Sequence, residues 1–217
     1  MRPPSLEGVA ELVAVMDRLR SPGGCPWDRE QTHASLLPYL LEEAFELVEA
    51  VETGTREDLL EELGDVLLQV VFHARVAQED PEAPFDIDDV ARRTARKLVA
   101  RHPHVFAEAH APDAEAVRVS WEALKKAEKQ RESVFDGVPV ALPALARAAK
   151  IAGRAERTGI TVAVEGDGPG ERLLRLALEV RAAGGDPETA LREALRHWED
   201  ALRRAERDEA DGASAGE

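Results

Sequence analysis

The chain has 217 residues, of which 44% are hydrophobic and 33% charged but only 4% aromatic. Its apolar content is mostly Ala, Leu and Val, a composition that suits helices better than strands, so we expect an all-α protein. A net charge of −15 excludes general affinity for a nucleic-acid polymer, which requires a surplus of Lys and Arg.

The cysteine content and the hydropathy of the sequence indicate the cellular compartment of the protein. The single cysteine, Cys25, rules out an intramolecular disulfide and fits a reducing environment. The sequence contains no run of the roughly 18 apolar residues that a membrane span needs. We therefore expect a cytoplasmic protein that makes no membrane contact.

Apolar periodicity predicts four helices in the first half of the chain, at about 6–19, 36–53, 56–79 and 87–101. The segment 21–24 ends the first, and a turn at 25–28 leads towards the second. Gly54 ends the second, Asp86 is the expected N-cap of the fourth, and Pro103 follows its end. The third helix is apolar on more than one side, which indicates a position at the centre of a bundle or at a subunit interface.

Further helices are predicted at about 114–132, 144–157, 171–183 and from Pro187 to about 208. The Gly-rich stretch 158–170 is predicted to be a linker, and the acidic, Gly- and Ala-rich tail 209–217 to be disordered. The motif at 170–174, with the hairpin after it, repeats the order found from 64–68 onward. We interpret 171–208 as a shortened second copy of the third and fourth helices, although other helical hairpins share this apolar spacing.

An acidic run is the most unusual feature of the sequence. Between residues 40 and 65 a single base, Arg56, accompanies ten acids, namely Glu42, Glu43, Glu46, Glu49, Glu52, Glu57, Asp58, Glu61, Glu62 and Asp65. A solvated helix face is the usual explanation of a charge run. Such faces normally alternate Glu with Lys or Arg, because like charges at i, i+4 cost about 0.2–0.5 kcal/mol per pair.

The alternative interpretation is a metal site. Glu43 and Glu46 are three apart on one helix, and Glu62 and Asp65 are three apart on the next. A short turn near Gly54 would place the two pairs opposite each other in an antiparallel hairpin. Four converging carboxylates repel unless a cation lies between them, and an oxygen-only ligand set favours Mg²⁺ or Mn²⁺ over Zn²⁺. Spacing alone leaves both interpretations open.

A family resemblance rests on a series of motifs. Glu42-Glu43-Ala44-Phe45-Glu46, followed sixteen residues later by Glu62-Leu63-Gly64-Asp65, matches the pattern E-E-x-x-E … E-x-x-D. The accompanying motifs are Cys25-Pro26-Trp27-Asp28, Gln31-Thr32, Gln69-Val70-Val71-Phe72-His73-Ala74, Arg101-His102-Pro103-His104-Val105-Phe106, Trp121-Glu122 with Lys125, and Asp136-Gly137-Val138-Pro139. In this order they resemble the MazG family of all-α nucleoside triphosphate pyrophosphohydrolases over roughly residues 6–157.

The resemblance implies a helical bundle, completed by dimerisation, that hydrolyses NTPs or dNTPs at the α-phosphorus to NMP and pyrophosphate. It implies that Glu43, Glu46, Glu62 and Asp65 are catalytic residues that bind Mg²⁺, with Mn²⁺ as a possible substitute. Glu42 is also expected in the catalytic set; Glu42 and Glu61 could support a ligand, orient the attacking water or simply be solvated.

Four residues are expected to bind substrate. Lys97 and Arg101 are one turn apart and could form a fork for phosphates; spacing alone slightly favours an ordinary surface helix, and the resemblance reverses that preference. Trp121 and Lys125 could contact the base and a phosphate, or could be a core indole beside a solvated ammonium.

The predicted second unit, 171–208, departs from the family because it has no E-E-x-x-E helix. We therefore expect one active domain at 1–157. The resemblance to the family implies a homodimer and a role in nucleotide-pool housekeeping. The alternatives are a non-catalytic regulatory or partner-binding bundle and a phosphohydrolase acting on another pyrophosphate-containing metabolite. A di-iron bundle is disfavoured, because it needs paired Glu-x-x-His motifs and only Glu30 with His33 forms one.

Overall fold

The computed structural model describes residues 5–107, 113, 117 and 132–214, and all regular secondary structure in these residues is helical. The helices are α1 (Glu7–Arg20), α2 (Pro26–Glu30), α3 (Leu37–Glu52), α4 (Arg56–Ala77), α5 (Ile87–Arg101), α6 (Pro103–Phe106), α7 (Ala144–Thr158), α8 (Pro169–Ala182) and α9 (Pro187–Ser214). The all-α prediction is therefore confirmed. Of these helices, none combines the length and the apolar content needed to cross a membrane.

Two short helices were not predicted, and both begin at a proline. The predicted turn at 25–28 is wrong in part, because Pro26 opens α2. Pro103, expected only to follow the end of a helix, opens α6. A proline suits the first helical position because its missing N–H would have no partner there. The predicted helix at 114–132 falls almost entirely outside the described residues.

The chain divides into two compact units, Met1–Trp121 and Glu122–Glu217. This division lies inside the range 1–157 predicted for the first domain, because α7 packs against α8 and α9. Arg175 of α8 donates hydrogen bonds to the segment that joins α7 to α8, at the carbonyl oxygens of Val164 and Gly166, with distances of 3.1 and 2.7 Å. The tail 209–217 was predicted to be disordered; this prediction is wrong for 209–214, because the last helix continues to Ser214.

Helix α4 is the centre of the first unit, where it packs against α1, α3 and α5. The buried core cluster consists of Met16, Leu36, Val71 and Phe72. Partly buried apolar residues pack around it, namely Leu12, Val13, Leu19, Leu67, Leu68, Val76 and Ile87. Burial of one such large apolar side chain contributes about 1.5–3 kcal/mol. The apolar excess of this helix is explained by its neighbours on several sides.

A three-residue turn joins α3 to α4 and makes them antiparallel. Gly54 passes so close to α3 that a Cβ at this position would lie 2.8 Å from the Cα and the carbonyl oxygen of Ala50. Thr55 and Asp58 then form a capping box: the Asp58 N–H donates to the Thr55 hydroxyl at 3.2 Å, and the Thr55 N–H donates to the Asp58 carboxylate at 2.7 Å. The turn and the cap together fix how the two helices face each other.

Arg20 fastens α1 to the rest of the first unit, with only 2% of its side chain exposed. Its guanidinium donates to both carboxylate oxygens of Glu79, at 3.1 and 2.6 Å, to the carbonyl of Gln31 at 3.1 Å and to the carbonyl of Asp28. It also lies 5.6 Å from the ring centroid of Phe72. This hydrogen bonding lowers the pKa of the Glu79 carboxyl.

Arg20→Lys is expected to lower the free energy of unfolding by about 2–3 kcal/mol, because an ammonium group cannot reproduce the bidentate pair and both carbonyl contacts. Urea denaturation followed by circular dichroism measures this change. Arg18→Lys is the matched control, since the side chain of Arg18 is exposed and makes one bond to Pro22. Equal urea midpoints of unfolding for Arg20→Lys and Arg18→Lys would contradict the stabilising role given to Arg20.

Candidate metal centre

Three of the carboxylates expected to bind metal converge between α3 and α4. One oxygen from each of Glu43, Glu62 and Asp65 lies within 4.8 Å of the others, and all three residues are partly buried. The antiparallel hairpin explains this geometry, because each step from the turn along α3 is matched by a step along α4. The spacing of these three residues in the sequence, together with the family resemblance, predicted their convergence.

The fourth expected ligand, Glu46, lies at the open edge of this cluster. Its side chain is exposed, and it lines a cleft of about 380 Å³ together with Glu62. The other residues that line the cleft are Glu49, Ala50, Thr53, Gly54 and Asp58. Glu49 and Asp58 were not predicted to take part in the site, although both belong to the acidic run. The cleft therefore presents further carboxylates beside the cluster and stays open to a ligand from solvent.

The cluster is electrostatically strained. Burial raises the pKa of the Glu43 carboxyl, and the charges of Asp65, Glu46 and Glu62, together with a hydrogen bond to Glu46, raise it further. Burial likewise raises the pKa of Glu62, and the charges of Glu46 and Asp65 raise it further. Glu43 and Glu62 resist ionisation because they are partly buried and because their neighbours carry the same charge.

The donor set fits a hard divalent cation. Glu62 Oε2 is buried and has no hydrogen-bond partner, although a desolvated carboxylate oxygen normally requires one. Within the described ranges 5–107 and 132–214, no Lys or Arg forms an ion pair with Glu43, Glu46, Glu62 or Asp65. Carboxylate oxygens without thiolate or imidazole are the ligands that suit Mg²⁺ and Mn²⁺.

The remaining predicted site residues lie in different surroundings. Glu42 is exposed on α3. On α5, Lys97 is exposed, whereas Arg101 is buried, with 5% of its surface accessible, and has interaction partners of its own. The two cations of the predicted fork therefore differ in access to solvent. Trp121 and Lys125 lie outside the described residues.

Sequence reasoning missed a pair of histidines and a buried glutamine next to the carboxylates. The rings of His33 and His73 lie parallel within 4°, with their Nδ1 atoms 2.8 Å apart. Gln69, one turn beyond Asp65 on α4, is 5% exposed. Gln69 and His73 belong to the motif Gln69–Ala74 quoted above, but we assigned them no role. Their position on the same helix face as Glu62 could have indicated their relation to the site, whereas the pairing of His73 with His33, 40 residues away, leaves no signal in a single sequence.

The fold and this cluster define a class: all-α proteins whose central helical hairpin gathers carboxylates into a candidate cation site. The chain belongs to the MazG family, and its residues 31–106 match the MazG nucleotide pyrophosphohydrolase domain. The match includes both acidic motifs and extends from the residue after α2 to the end of α6.

Several relatives are similar over most of this chain. An uncharacterized 26.1 kDa protein from the blaB 3′ region of Streptomyces cacaoi is 53% identical over 90% of this chain and 81% of its own length. A nucleoside triphosphate pyrophosphohydrolase of Mycobacterium tuberculosis is 44% identical over 93% of this chain and 59% of its own length. The nucleoside triphosphate pyrophosphohydrolase of Escherichia coli K12 is 45% identical over 70% of this chain and 58% of its own length. The chain thus spans little more than half the length of these two named enzymes.

Glu62→Gln is expected to stabilise the metal-free protein at neutral pH. Because the pKa values of Glu43 and Glu62 are raised in the folded state, their favourable contribution is present below the ordinary glutamate value of about 4.3 and is lost as pH rises through the folded pKa. The melting temperature with chelator present should therefore fall less steeply above pH 4.3 in the variant than in the wild type.

Glu57→Gln is the matched control, because 77% of the Glu57 side chain is exposed on the first turn of α4. Its pH profile should follow the wild type. A Glu62→Gln profile parallel to the wild type would contradict repulsion within the cluster.

Proposed function

We propose that the protein is a Mg²⁺-dependent nucleoside triphosphate pyrophosphohydrolase that converts NTPs or dNTPs to NMP and pyrophosphate. Water adds to the α-phosphorus and the α–β anhydride bond breaks, so that pyrophosphate leaves. The convergence of Glu43, Glu62 and Asp65 is the observation that carries the proposal, because the family relation alone would hold equally for a protein that had lost its site. The names of the relatives from M. tuberculosis and E. coli agree with this reaction.

Glu43, Glu46, Glu62 and Asp65 are the residues that would hold Mg²⁺, or Mn²⁺ in its place. When bound, the cation would neutralise phosphate charge and lower the pKa of a water molecule. The chain's own part is to fix four oxygens on two helices, so that little reorganisation is needed when substrate enters. The cleft beside Glu46 leaves space for the phosphate tail.

Other residues would act on the substrate directly. Lys97, exposed on α5, would approach the phosphates, while the buried Arg101 would hold its guanidinium in a fixed position. Glu42, exposed beside Glu43, is available to accept a proton from the attacking water. Trp121 and Lys125 are proposed to contact the base and a phosphate. A role in nucleotide-pool housekeeping would place this reaction in the cytoplasm.

Asp65→Asn is expected to lower kcat at least about a hundredfold, because it removes one charged donor from the cluster while keeping the shape of the side chain. The assay incubates the protein with each NTP and dNTP plus Mg²⁺ and separates pyrophosphate from orthophosphate. Asp88→Asn, on the exposed side of α5, should retain full activity.

Three outcomes would count against the proposal. Orthophosphate as first product would overturn attack at the α-phosphorus, and undiminished turnover by Asp65→Asn would remove that residue from the site. No turnover, together with a melting temperature unaffected by Mg²⁺ and triphosphate, would favour a non-catalytic bundle.

We also propose that the protein is a homodimer. Helix α3 exposes Leu41 and Phe45 to the extent of 59% and 52%, and α4 exposes Leu60 and Leu63 to the extent of 67% and 50%. Neighbouring exposed apolar side chains on two packed helices are typical of a protein–protein interface. A second copy would cover this surface and complete the bundle.

Phe45→Glu is expected to shift the protein from dimer to monomer at micromolar concentration, because the interface would then bury an unpaired charge. Analytical ultracentrifugation measures the shift. Val162→Glu is the control, since Val162 is 82% exposed in the segment between α7 and α8. A wild-type monomer at all concentrations would contradict the proposed dimer.

A further inference from the structure

Three buried polar atoms without a hydrogen-bond partner lie along one face of α4. They are Glu62 Oε2, Gln69 Oε1 and His73 Nε2; the described part of the chain has one other, Arg147 Nε. At 3.6 residues per turn, Gln69 and His73 each lie within about 20° of Glu62 around the helix axis. The face that carries the carboxylates therefore continues beyond them as a line of unsatisfied polar groups.

Gln69 is the one polar residue among the buried residues of α4; the others, which include Val71, Phe72 and Ala74, are apolar. Its side chain is 95% buried, yet its amide oxygen accepts no hydrogen bond. A buried amide in this condition destabilises the folded state, and a leucine of similar size would not. We would expect a side chain with this cost to be retained where a ligand supplies the missing bond.

A small cavity lies one turn further along α4. It has a volume of about 230 Å³ and is lined by His33, Leu40, Val70, His73, Ala74, Phe85 and Val90. Its walls are apolar apart from the two histidines. Pockets that enclose a whole ligand measure about 300–1,000 Å³, so this cavity would accept only part of a nucleotide.

The histidine pair gives this cavity two hydrogen-bonding groups. Nδ1 of His33 and Nδ1 of His73 are 2.8 Å apart and share a proton, whichever ring carries it. Burial, with the neighbouring His33, lowers the pKa of His73, so its ring stays neutral near pH 7. The unpartnered Nε2 of His73 is then free to donate to a ligand or accept from one, according to the tautomer.

We propose that Gln69 and the histidine cavity hold the nucleoside part of the substrate, with the base in the cavity and Gln69 bonded to its polar edge or to the sugar. This inference rests on the proposed function and adds a specificity site to it. Along the axis of α4, Gln69 lies about 6 Å and His73 about 12 Å beyond Asp65. Along α4, the carboxylates, the Gln69 amide and the apolar cavity thus come in the same order as the phosphates, the sugar and the base of a nucleotide.

The test compares binding of a whole nucleotide with binding of phosphates alone. The probes are the α,β-methylene analogues of the four common NTPs and inorganic tripolyphosphate, titrated calorimetrically with Mg²⁺ present. Gln69→Leu should weaken binding of the preferred nucleotide analogue about tenfold, the loss of one hydrogen bond, and change tripolyphosphate binding less than twofold. The melting temperature of the ligand-free variant should stay the same or rise.

Two further variants make the test specific. Gln78→Leu is the matched control, because Gln78 is exposed at the end of α4 on the side opposite Glu62. It should bind both probes like the wild type. Val90→Phe fills the cavity without changing charge and should weaken the nucleotide analogues while sparing tripolyphosphate, independently of Gln69.

The outcomes separate this inference from the proposed function. If the wild type releases pyrophosphate from NTPs but Gln69→Leu and Val90→Phe bind nucleotide normally, the specificity site is wrong and the reaction stands. If binding depends on Gln69 but no pyrophosphate forms, the reaction is wrong and the site stands. A lower melting temperature of ligand-free Gln69→Leu with equal losses for both probes would show that the amide is bonded within the protein or to a second copy, and would overturn the inference.

Discussion

The turn between α3 and α4 is the constraint on which the candidate site depends. Gly54 turns the chain so tightly against the last turn of α3 that a methyl group would collide with Ala50, and the capping box of Thr55 and Asp58 fixes where α4 begins. With the start and the separation of the hairpin fixed, Glu43 must face Asp65 and Glu62. The backbone therefore brings these carboxylates together, and their repulsion follows from how the hairpin is built.

That repulsion is tolerated because the same helix is held firmly elsewhere. Further along α4, Val71 and Phe72 are buried against Met16 of α1 and Leu36 at the start of α3. At its end, the ion pair of Arg20 with Glu79 closes the unit. Helix α4 thus has a strained half that carries the acidic cluster and a stable half that carries the core, and the stability of the second offsets the cost of the first.

Local periodicity and turn residues explain why much of the fold could be predicted from sequence. The spacing of Glu43, Glu62 and Asp65, with Gly54 between them, predicted their convergence only together with the family resemblance. It could not predict that Glu46 would be exposed at the edge or that Arg101 would be buried, because solvent access depends on packing between elements. The stacking of His33 on His73 and the contact of Arg20 with Glu79 join residues about 40 and 59 positions apart, distances at which a single sequence carries no pairing signal.

The separation of Arg20 and Glu79 has a consequence for how the first unit assembles. The hairpin of α3 and α4 closes a loop of three residues, which costs little chain entropy and is formed quickly. Docking of α1 through Arg20 must bring together residues 59 positions apart, because its partner Glu79 lies two residues beyond the end of α4. This topology favours a folding order in which the hairpin forms first and α1 docks late. The carboxylates then come together before the ion pair of Arg20 with Glu79 has formed.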